Sequence, residues 1–438
     1  MKNFKNIFFF FLLGQIIVFG QNATMDWKTF ETSFAKDFQR LYISELRISY
    51  IDNLELIQSR RNVDKQEKVL LHYQKALQAI DTKALTKAEK LDYALASYEI
   101  NLHLERVALE KQWLELKPRR IPKDGLKYVP MGKEWYVYFL KKWVDVKATP
   151  EAIFQFGLSE INRAKKAMKA IEEASGLDSV AFQKYINDAR FFHTDVSSIQ
   201  QGFETYKKAI LPNLIGYFPK VHQLPDVKIE EGKNEMYAQV PAYYNEFERT
   251  FYYNFFDKPF NKRQVAWIYM HEAVPGHHYQ IQYEAQLEKT PIQQLFSYNG
   301  YREGWAAYVE ELIYEFGPET TKYDALGKWE WDIIRSVRVA MDVGLNYYDW
   351  SDEKALEFWQ QHIQGKDDIA RREINRMKQW PAQVITYKYG ANQILQWKAA
   401  LEATLPNEKE FPWLAFHTKI LQNGALPFSV LDAEVFGN

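Results

Sequence analysis

The stretch from His271 to His278, which reads HEAVPGHH, constrains this chain more than any other part of the sequence. Three of the nine histidines fall within it, and a glutamate directly follows the first of them. Apolar residues recur at helical spacing from Val265 to Tyr269, so we expect a helix to run into His271. Two imidazoles and a glutamate near one helical turn are the arrangement with which zinc hydrolases bind their metal and activate water.

Pro275 breaks the ordinary His-Glu-x-x-His spacing, because it occupies the position at which the second histidine would stand. A proline there removes a backbone donor and clashes with the preceding turn, so the helix is expected to bulge or end. Gly276 allows the irregular turn that follows. A bulge that absorbs two residues would bring His277 beside His271, and we predict His277 as the second ligand. His278 stays open as the alternative, and a histidine-bearing turn without metal is the competing interpretation.

A catalytic zinc site takes three protein ligands and keeps one position open, so two histidines leave it incomplete. The next acidic residue within an expected helix is Glu303, in the stretch YREGWAAYVEE, 26 residues after His277. That distance leaves room to finish one helix, turn through Thr290 and Pro291, and return alongside it. We predict Glu303 as the third ligand, and the alternative is that it is an ordinary solvated carboxylate. We predict Glu272 as the general base that takes a proton from water.

The motifs HEAVPGHHYQ (271–280) and REGWAAY (302–308) resemble those of the bacterial domain-of-unknown-function family 885. Other segments follow in the order of that family: RSVR (335–338), EINR (373–376), WPAQ (380–383) and NGALP (423–427). The resemblance covers about residues 150 to 435. It implies a gluzincin-like zinc metallopeptidase, with a mainly α architecture that includes a small antiparallel β-sheet (α+β) and with Zn²⁺ as the cofactor.

Short aromatic and β-branched segments within 227–256 predict that small antiparallel sheet, with one strand at 237–240 and the last strand leading into the histidine helix. By resemblance, the strand at 250–254 would pair with the backbone of a peptide substrate. The resemblance thus makes Tyr243 and Asn254 candidate substrate-binding residues. A purely structural hairpin is the alternative.

Polar residues on two later helices are candidates for the same cleft. Arg335, Arg338 and Asp342 recur at helical spacing and therefore share one face of a mostly apolar helix. They indicate either a buried ion-pair network or a site for a substrate carboxylate, which a guanidinium binds through two hydrogen bonds. Tyr387 is the candidate for oxyanion stabilisation, because its hydroxyl can donate to developing negative charge. That assignment rests partly on the resemblance, and a core tyrosine is the alternative.

The N-terminal segment, residues 1–20, reads as a secretory signal peptide, in which two lysines precede an apolar run and cleavage is expected before Gln21. The run is short for a membrane span, and an uncleaved anchor is the alternative. The chain has no cysteine, which excludes disulfides, thiolate ligands and a lipoprotein anchor. We therefore expect a periplasmic or secreted protein that has no membrane attachment after signal cleavage.

The remaining organisation follows from charge and helical patterning. Acidic and basic residues nearly balance, at 57 and 56, so the composition indicates no nucleic-acid partner. Residues 21–149 read as scaffold helices, with one apolar face along 27–41. Thr149, followed by proline, is expected to start a helix that Gly176 ends. This helix opens the metallopeptidase-like region at 150–438, which we expect to form one continuous fold with the N-terminal helices.

These features predict a secreted zinc-dependent hydrolase that cleaves short peptides by direct attack of water. Two alternatives remain, a zinc hydrolase of a non-peptide amide or ester and a non-catalytic binding protein on the same fold. The intact set of His271, Glu272, His277 and Glu303 argues against the second alternative. A peptide or small amide substrate is the partner that this interpretation implies.

Overall fold

The structure, a computed structural model, describes residues 25–235, 240–256, 259–318, 322–406 and 410–437. Most of the described chain is helical and two small sheets accompany the helices, which confirms the expected mainly α, α+β class. The expected signal peptide lies outside the described residues, and so does most of the expected strand at 237–240. Of the helices in the described ranges, none has the length and apolar character needed to cross a membrane.

Helices extend over the whole described chain, whereas the described strands lie between residues 192 and 261. The helices are α1 (Trp27–Gln39), α2 (Tyr50–Glu55), α3 (Arg60–Gln78), α4 (Lys87–Leu116), α5 (Gly132–Trp143), α6 (Pro150–Ser175), α7 (Ser179–Ile186), α8 (Val196–Ile210), α9 (Val265–Glu272), α10 (His277–Ala285), α11 (Asn299–Glu310), α12 (Ile313–Phe316), α13 (Lys322–Asn346), α14 (Asp352–His362), α15 (Asp367–Gln379), α16 (Thr386–Glu402), α17 (Trp413–Leu421) and α18 (Phe428–Leu431). The strands are β1 (Phe192–His193), β2 (Lys228–Glu231), β3 (Ala242–Asn245), β4 (Thr250–Tyr253) and β5 (Phe260–Asn261).

Local sequence signals account for where several of these helices begin and end. The hydroxyl of Thr149 accepts a hydrogen bond from the backbone N–H of Ala152 at 3.2 Å, and the proline that follows occupies the first turn of α6. Gly176 ends α6 in the left-handed conformation, with φ of 73°. Thr86 and Glu89 cap the start of α4 reciprocally. The predicted start and end of α6 are therefore both confirmed.

The core joins the N-terminal helices to the rest of the chain. One buried cluster contains Phe34 of α1 and Trp305 of α11, and a second contains Trp135 of α5 and Val337 of α13. The long helix α13 packs against α6, α9 and α15, and it is buried over much of its length. Helices from both sides of residue 150 thus contribute to both clusters. The packing of α9 against α11 and α13 fixes these three helices relative to one another.

The three-stranded sheet has the order β2-β4-β3, in which β4 is parallel to β2 and antiparallel to β3. This sheet is mixed, whereas the sequence led us to expect an antiparallel one in this region. The chain leaves β3 through a turn at 246–249 and inserts β4 between its two neighbours. Phe251 and Tyr253 of β4 pack on Phe203 of α8, which holds the sheet against the helices. The pair β1–β5 is antiparallel.

Candidate metal centre

The helix that carries His271 ends where the proline predicts. Helix α9 stops at Glu272, and α10 starts at His277 after four non-helical residues. The imidazole ring centroids of His271 and His277 lie 4.8 Å apart with their planes at 86°. The break therefore brings together two histidines that an unbroken helix would separate by about 9 Å along its axis.

Two contacts hold this break in place. An added Cβ on Gly276 would lie 1.9 Å from the carbonyl oxygen of His271, so the chain can approach the end of α9 this closely only with glycine. The carbonyl oxygen of Pro275 accepts a hydrogen bond from Nε1 of Trp305 at 2.8 Å. Because Trp305 belongs to α11, the break is anchored to the helix that supplies the next site residue.

Glu303 reaches the two histidines from α11. Its Oε2 atom lies 3.7 Å from Nε2 of His271 and 3.5 Å from Nε2 of His277. The same oxygen is buried and has no hydrogen-bond partner. Potential ligand atoms of Glu272 and of both histidines lie within 4.8 Å of one another. Two imidazoles and two carboxylates thus converge on one small region.

This donor set fits a zinc ion. Ligand atoms about 2.0–2.1 Å from a tetrahedral zinc stand about 3.3 Å apart, close to both Nε2–Oε2 separations of Glu303. A buried carboxylate oxygen without a donor is costly, and a cation between the three side chains would satisfy it. His271, His277 and Glu303 are therefore suited to hold the metal. That assignment leaves Glu272 beside them, free to act on a water molecule.

A close helix crossing brings Glu303 near Tyr387. A Cβ added to Gly304 of α11 would lie 2.5 Å from the Cα atom of Gly390 on α16. Glycine at both positions therefore allows the two helix backbones to approach closely. Burial raises the pKa of Tyr387 and the negative charge of Glu303 adds to that rise, which places the two side chains close together.

Glu310 lies behind His271, on the side of the ring opposite Nε2, and it was not among the residues predicted from the sequence. Its Oε1 atom lies 2.6 Å from Nδ1 of His271. Nη1 of Arg335 donates to both oxygens of this glutamate, at 2.6 and 2.7 Å, and all three side chains are buried. Such a carboxylate fixes the orientation of a metal-binding imidazole. Its position seven residues after Glu303 on α11 is the sequence signal that points to it.

This pairing also corrects the expected role of Arg335 in substrate binding. The guanidinium hydrogen-bonds Glu310, and its side chain is only 4% exposed. The sequence left two roles open for Arg335, a buried ion-pair network and a site for a substrate carboxylate. The structure places it in a buried ion pair. Its effect on the site therefore passes through Glu310 and His271.

The charges of the site explain the pKa shifts of its groups. Burial lowers the pKa of His271, but Glu303 and Glu310 outweigh that effect and raise it to about 9. Burial raises the pKa of Glu303, yet the two histidines bring it far below its usual range. Burial also raises the pKa of Glu272, which makes its carboxylate a better base. Arg335 already balances Glu310, so Glu272 and Glu303 are the carboxylates beside His271 whose charge a divalent cation would balance.

His278 lies outside this cluster. Its Nδ1 atom is 2.9 Å from the hydroxyl of Tyr244 on β3, and its Nε2 atom is 2.8 Å from the carbonyl oxygen of Pro225. Both ring nitrogens therefore have partners away from Glu303. These contacts favour His277 over His278 as the second ligand and give His278 a structural role between α10 and the sheet.

Tyr387 lines the site, whereas Arg338 lies behind it. The ring of Tyr387 stacks on that of His271 at 6.2 Å and 24°, and the side chain is half-buried. Nε2 of Gln383 lies 3.5 Å from its hydroxyl. Arg338 is only 2% exposed and donates to Glu373 at 3.2 Å, with its guanidinium against the Tyr387 ring. Arg338 is thus too deeply buried for the direct substrate contact that the sequence suggested.

The sheet requires another correction. Residues 250–253 form β4, the central strand, so both of its edges are already paired and it cannot take a peptide as a further strand. Asn254 donates from its side-chain amide to the carbonyl oxygen of Val240 at 2.7 Å. Tyr243 stacks on Tyr252. Among the described strands, β3, which carries Tyr243, forms the edge nearest α9.

Solved structures share this fold. A presumed lipoprotein from Colwellia psychrerythraea has a TM-score of 0.62 at 22% identity, over 85% of this chain and 68% of that one. A presumed lipoprotein of unknown function from Shewanella oneidensis has a TM-score of 0.62 at 14% identity, over 92% of this chain and 98% of that one. At these identities the likeness concerns the fold alone. The curated proteins contain no match.

Fold and site together define a mainly helical protein with a partly buried cluster of two histidines and two glutamates at a helix break. Residues 106–435 match the model of a family described as bacterial protein of unknown function (DUF885). The chain belongs to this family, as its motifs indicated. The match begins within α4, so it extends further towards the N-terminus than the resemblance that we recognised from about residue 150.

Proposed function

We propose that this protein is an exported zinc-dependent hydrolase that cleaves peptide bonds in short peptides. The observation that carries the proposal is the position of Oε2 of Glu303, 3.7 Å from Nε2 of His271 and 3.5 Å from Nε2 of His277, without a hydrogen-bond donor. Two imidazoles and one carboxylate at this spacing are a usual ligand set of hydrolytic zinc sites.

Each residue of the cluster has its own part in this proposal. His271, His277 and Glu303 would hold the metal, and zinc in such a site supplies Lewis acidity and a nucleophile at neutral pH. Glu272 takes the proton of the attacking water and returns it to the leaving amine. Burial raises the pKa of this carboxylate, which brings it closer to the operating pH of a general base.

Neighbouring side chains support that chemistry. Glu310 accepts a hydrogen bond from the Nδ1–H of His271, which would leave Nε2 free to bind the metal. Arg335 balances the buried charge of Glu310. The hydroxyl of Tyr387 is a donor for the oxyanion that develops on the substrate carbonyl, since its ring stacks on His271.

The place of action forms part of the same proposal. Residues 1–20 have the pattern of a signal peptide, and the two related solved structures are described as presumed lipoproteins, which supports export. The chain contains no cysteine that could carry a lipid. We therefore propose a periplasmic or secreted location.

Replacing Glu272 by glutamine tests the function. Glu272→Gln should keep about one zinc per chain. Hydrolysis of a short-peptide library should fall about 10²–10⁴-fold, the usual contribution of a general base. The exposed Glu288 is the matched control, and Glu288→Gln should leave turnover unchanged. Full turnover by zinc-loaded Glu272→Gln, or no cleavage by the zinc-loaded wild type, would contradict the proposal.

A further inference from the structure

Two arginines share one carboxylate beside the metal centre. Oε2 of Glu373 lies 3.2 Å from Nη1 of Arg338 and 3.7 Å from Nη1 of Arg376. Two positive charges therefore face one negative charge.

Another cluster of charged residues in the protein has balanced charges, unlike the cluster around Glu373. Near α6 and α13, three cations face three carboxylates: Arg163, Lys328 and Lys388 with Glu160, Glu311 and Asp332. That network is balanced and needs no further anion. The cluster around Glu373 has no such balance.

Asp342 does not restore the balance, although it lies on the same helix as Arg338. Its carboxylate accepts hydrogen bonds from the backbone N–H of Ala382 at 3.0 Å and from the hydroxyl of Tyr136 at 2.8 Å. Burial raises the pKa of this carboxyl to about 7, so it carries only part of a negative charge at neutral pH. The excess positive charge therefore persists.

Arg376 connects this excess charge to the metal centre. Its Nη2 donates to Oε1 of Gln383 at 2.8 Å, and Nε2 of Gln383 lies 3.5 Å from the hydroxyl of Tyr387. Tyr387 in turn stacks on His271. The Arg376 side chain is 17% exposed, against 2% for Arg338, so part of Arg376 is accessible from outside the core. Its buried Nε has no acceptor, which leaves hydrogen-bonding capacity unused.

We propose that Arg376, with Arg338 behind it, binds the free terminal carboxylate of the peptide substrate. The substrates would then be dipeptides and peptides that lose residues from their C-terminal end, and internal bonds of long chains would be poor substrates. A guanidinium binds a carboxylate through paired hydrogen bonds. Because one carboxylate, Glu373, does not neutralise both arginines, positive charge remains to attract the carboxylate of the substrate. This inference rests on the proposed function, because it assigns the substrate class of the same site.

Binding to a catalytically inactive protein tests the inference. The probes are alanyl-phenylalanine and its C-terminal amide, titrated calorimetrically into the zinc-loaded Glu272→Gln protein. The free acid should bind about 10–100-fold more tightly than the amide, the factor expected for hydrogen bonds to a charged group. The preference should disappear in Glu272→Gln/Arg376→Gln. It should persist in the matched control Glu272→Gln/Arg371→Gln, which removes an exposed arginine of the same helix.

The possible outcomes separate this inference from the proposed function. Equal binding of acid and amide, binding of neither, or a preference that survives Arg376→Gln would overturn the role of Arg376. If the glutamine variant does not fold, Arg376→Lys keeps the charge but loses the paired hydrogen bonds, and its preference should be weakened. Cleavage of amide-blocked peptides by the wild type would still support the proposed function. Absence of zinc binding and of all cleavage would contradict that function instead.

Discussion

The Nδ1 atom of His271 lies 2.6 Å from Oε1 of Glu310, within the protein core. Arg335 fixes the other side of Glu310 with hydrogen bonds of 2.6 and 2.7 Å. The three residues belong to α9, α11 and α13, so the orientation of one imidazole depends on the packing of three helices. A buried chain of this kind holds Nε2 of His271 towards Glu303 and would orient the imidazole for the proposed metal.

Glu310→Gln should weaken zinc binding by about 10–100-fold, the usual effect of losing the carboxylate behind a metal-binding histidine. A glutamine side chain keeps the shape but removes the negative charge that supports His271. Competition with a chelator of known affinity measures the change. Glu315→Gln, at an exposed position on α12, is the control and should bind zinc like the wild type. Equal affinities in both variants would show that Glu310 does not support the metal.

His278→Asn should keep about one zinc per chain, because both ring nitrogens of His278 have structural partners. The loss of the contacts to Tyr244 and Pro225 should lower the free energy of unfolding by about 1–3 kcal/mol. Elemental analysis and urea unfolding of the same preparation report the two effects. Zinc lost from His278→Asn but retained in His277→Asn would reverse the assignment of the second ligand.

Acid should destabilise the protein through the buried His417. Its ring stacks on Phe218, its Nδ1 lies 2.7 Å from the carbonyl oxygen of Tyr217, and its Nε2 lies 3.0 Å from the hydroxyl of Tyr308. These contacts hold a neutral imidazole, and burial lowers its pKa from 6.5 to about 3. Between these pH values the unfolded chain binds a proton that the folded protein does not. Stability should therefore fall with decreasing pH, by about 1.4 kcal/mol per pH unit.

Urea unfolding at pH 7 and pH 5 measures this effect. The free energy of unfolding should differ between the two pH values by about 2 kcal/mol less in His417→Gln than in the wild type, because the titrating group is gone. The exposed His222 offers a control, and His222→Gln should keep the difference seen in the wild type. An unchanged pH dependence in His417→Gln would refute this account of His417.

The local features of the site could be predicted from the sequence. Pro275 specifies where α9 breaks, since proline cannot continue the hydrogen bonding of the helix. The same reasoning led to His271, Glu272 and His277 and, one helix further on, to Glu303, and the structure brings all four together. These residues are identified by spacing along one or two helices, which is the information that a sequence carries most directly.

Relations between distant elements could not be predicted in the same way. The pairing of Glu310 with Arg335 depends on how α11 packs on α13. The spacing of residues within either helix does not predict this packing. The central position of β4 depends on strand order, which the alternation of side chains does not encode. The excess charge around Glu373 likewise arises where α13 meets α15. Only the folded structure therefore identifies Arg376 as a candidate substrate-binding residue.

The most direct test of the account is the zinc content of the purified protein beside that of His271→Ala. We predict about one zinc per chain in the wild type and loss of that zinc in the variant, since His271 supplies one of three ligands. Circular dichroism should show that the variant keeps its helices, which separates loss of a ligand from loss of the fold. No zinc in the folded wild type, even after zinc is supplied, would contradict the central claim that His271, His277 and Glu303 form a metal site.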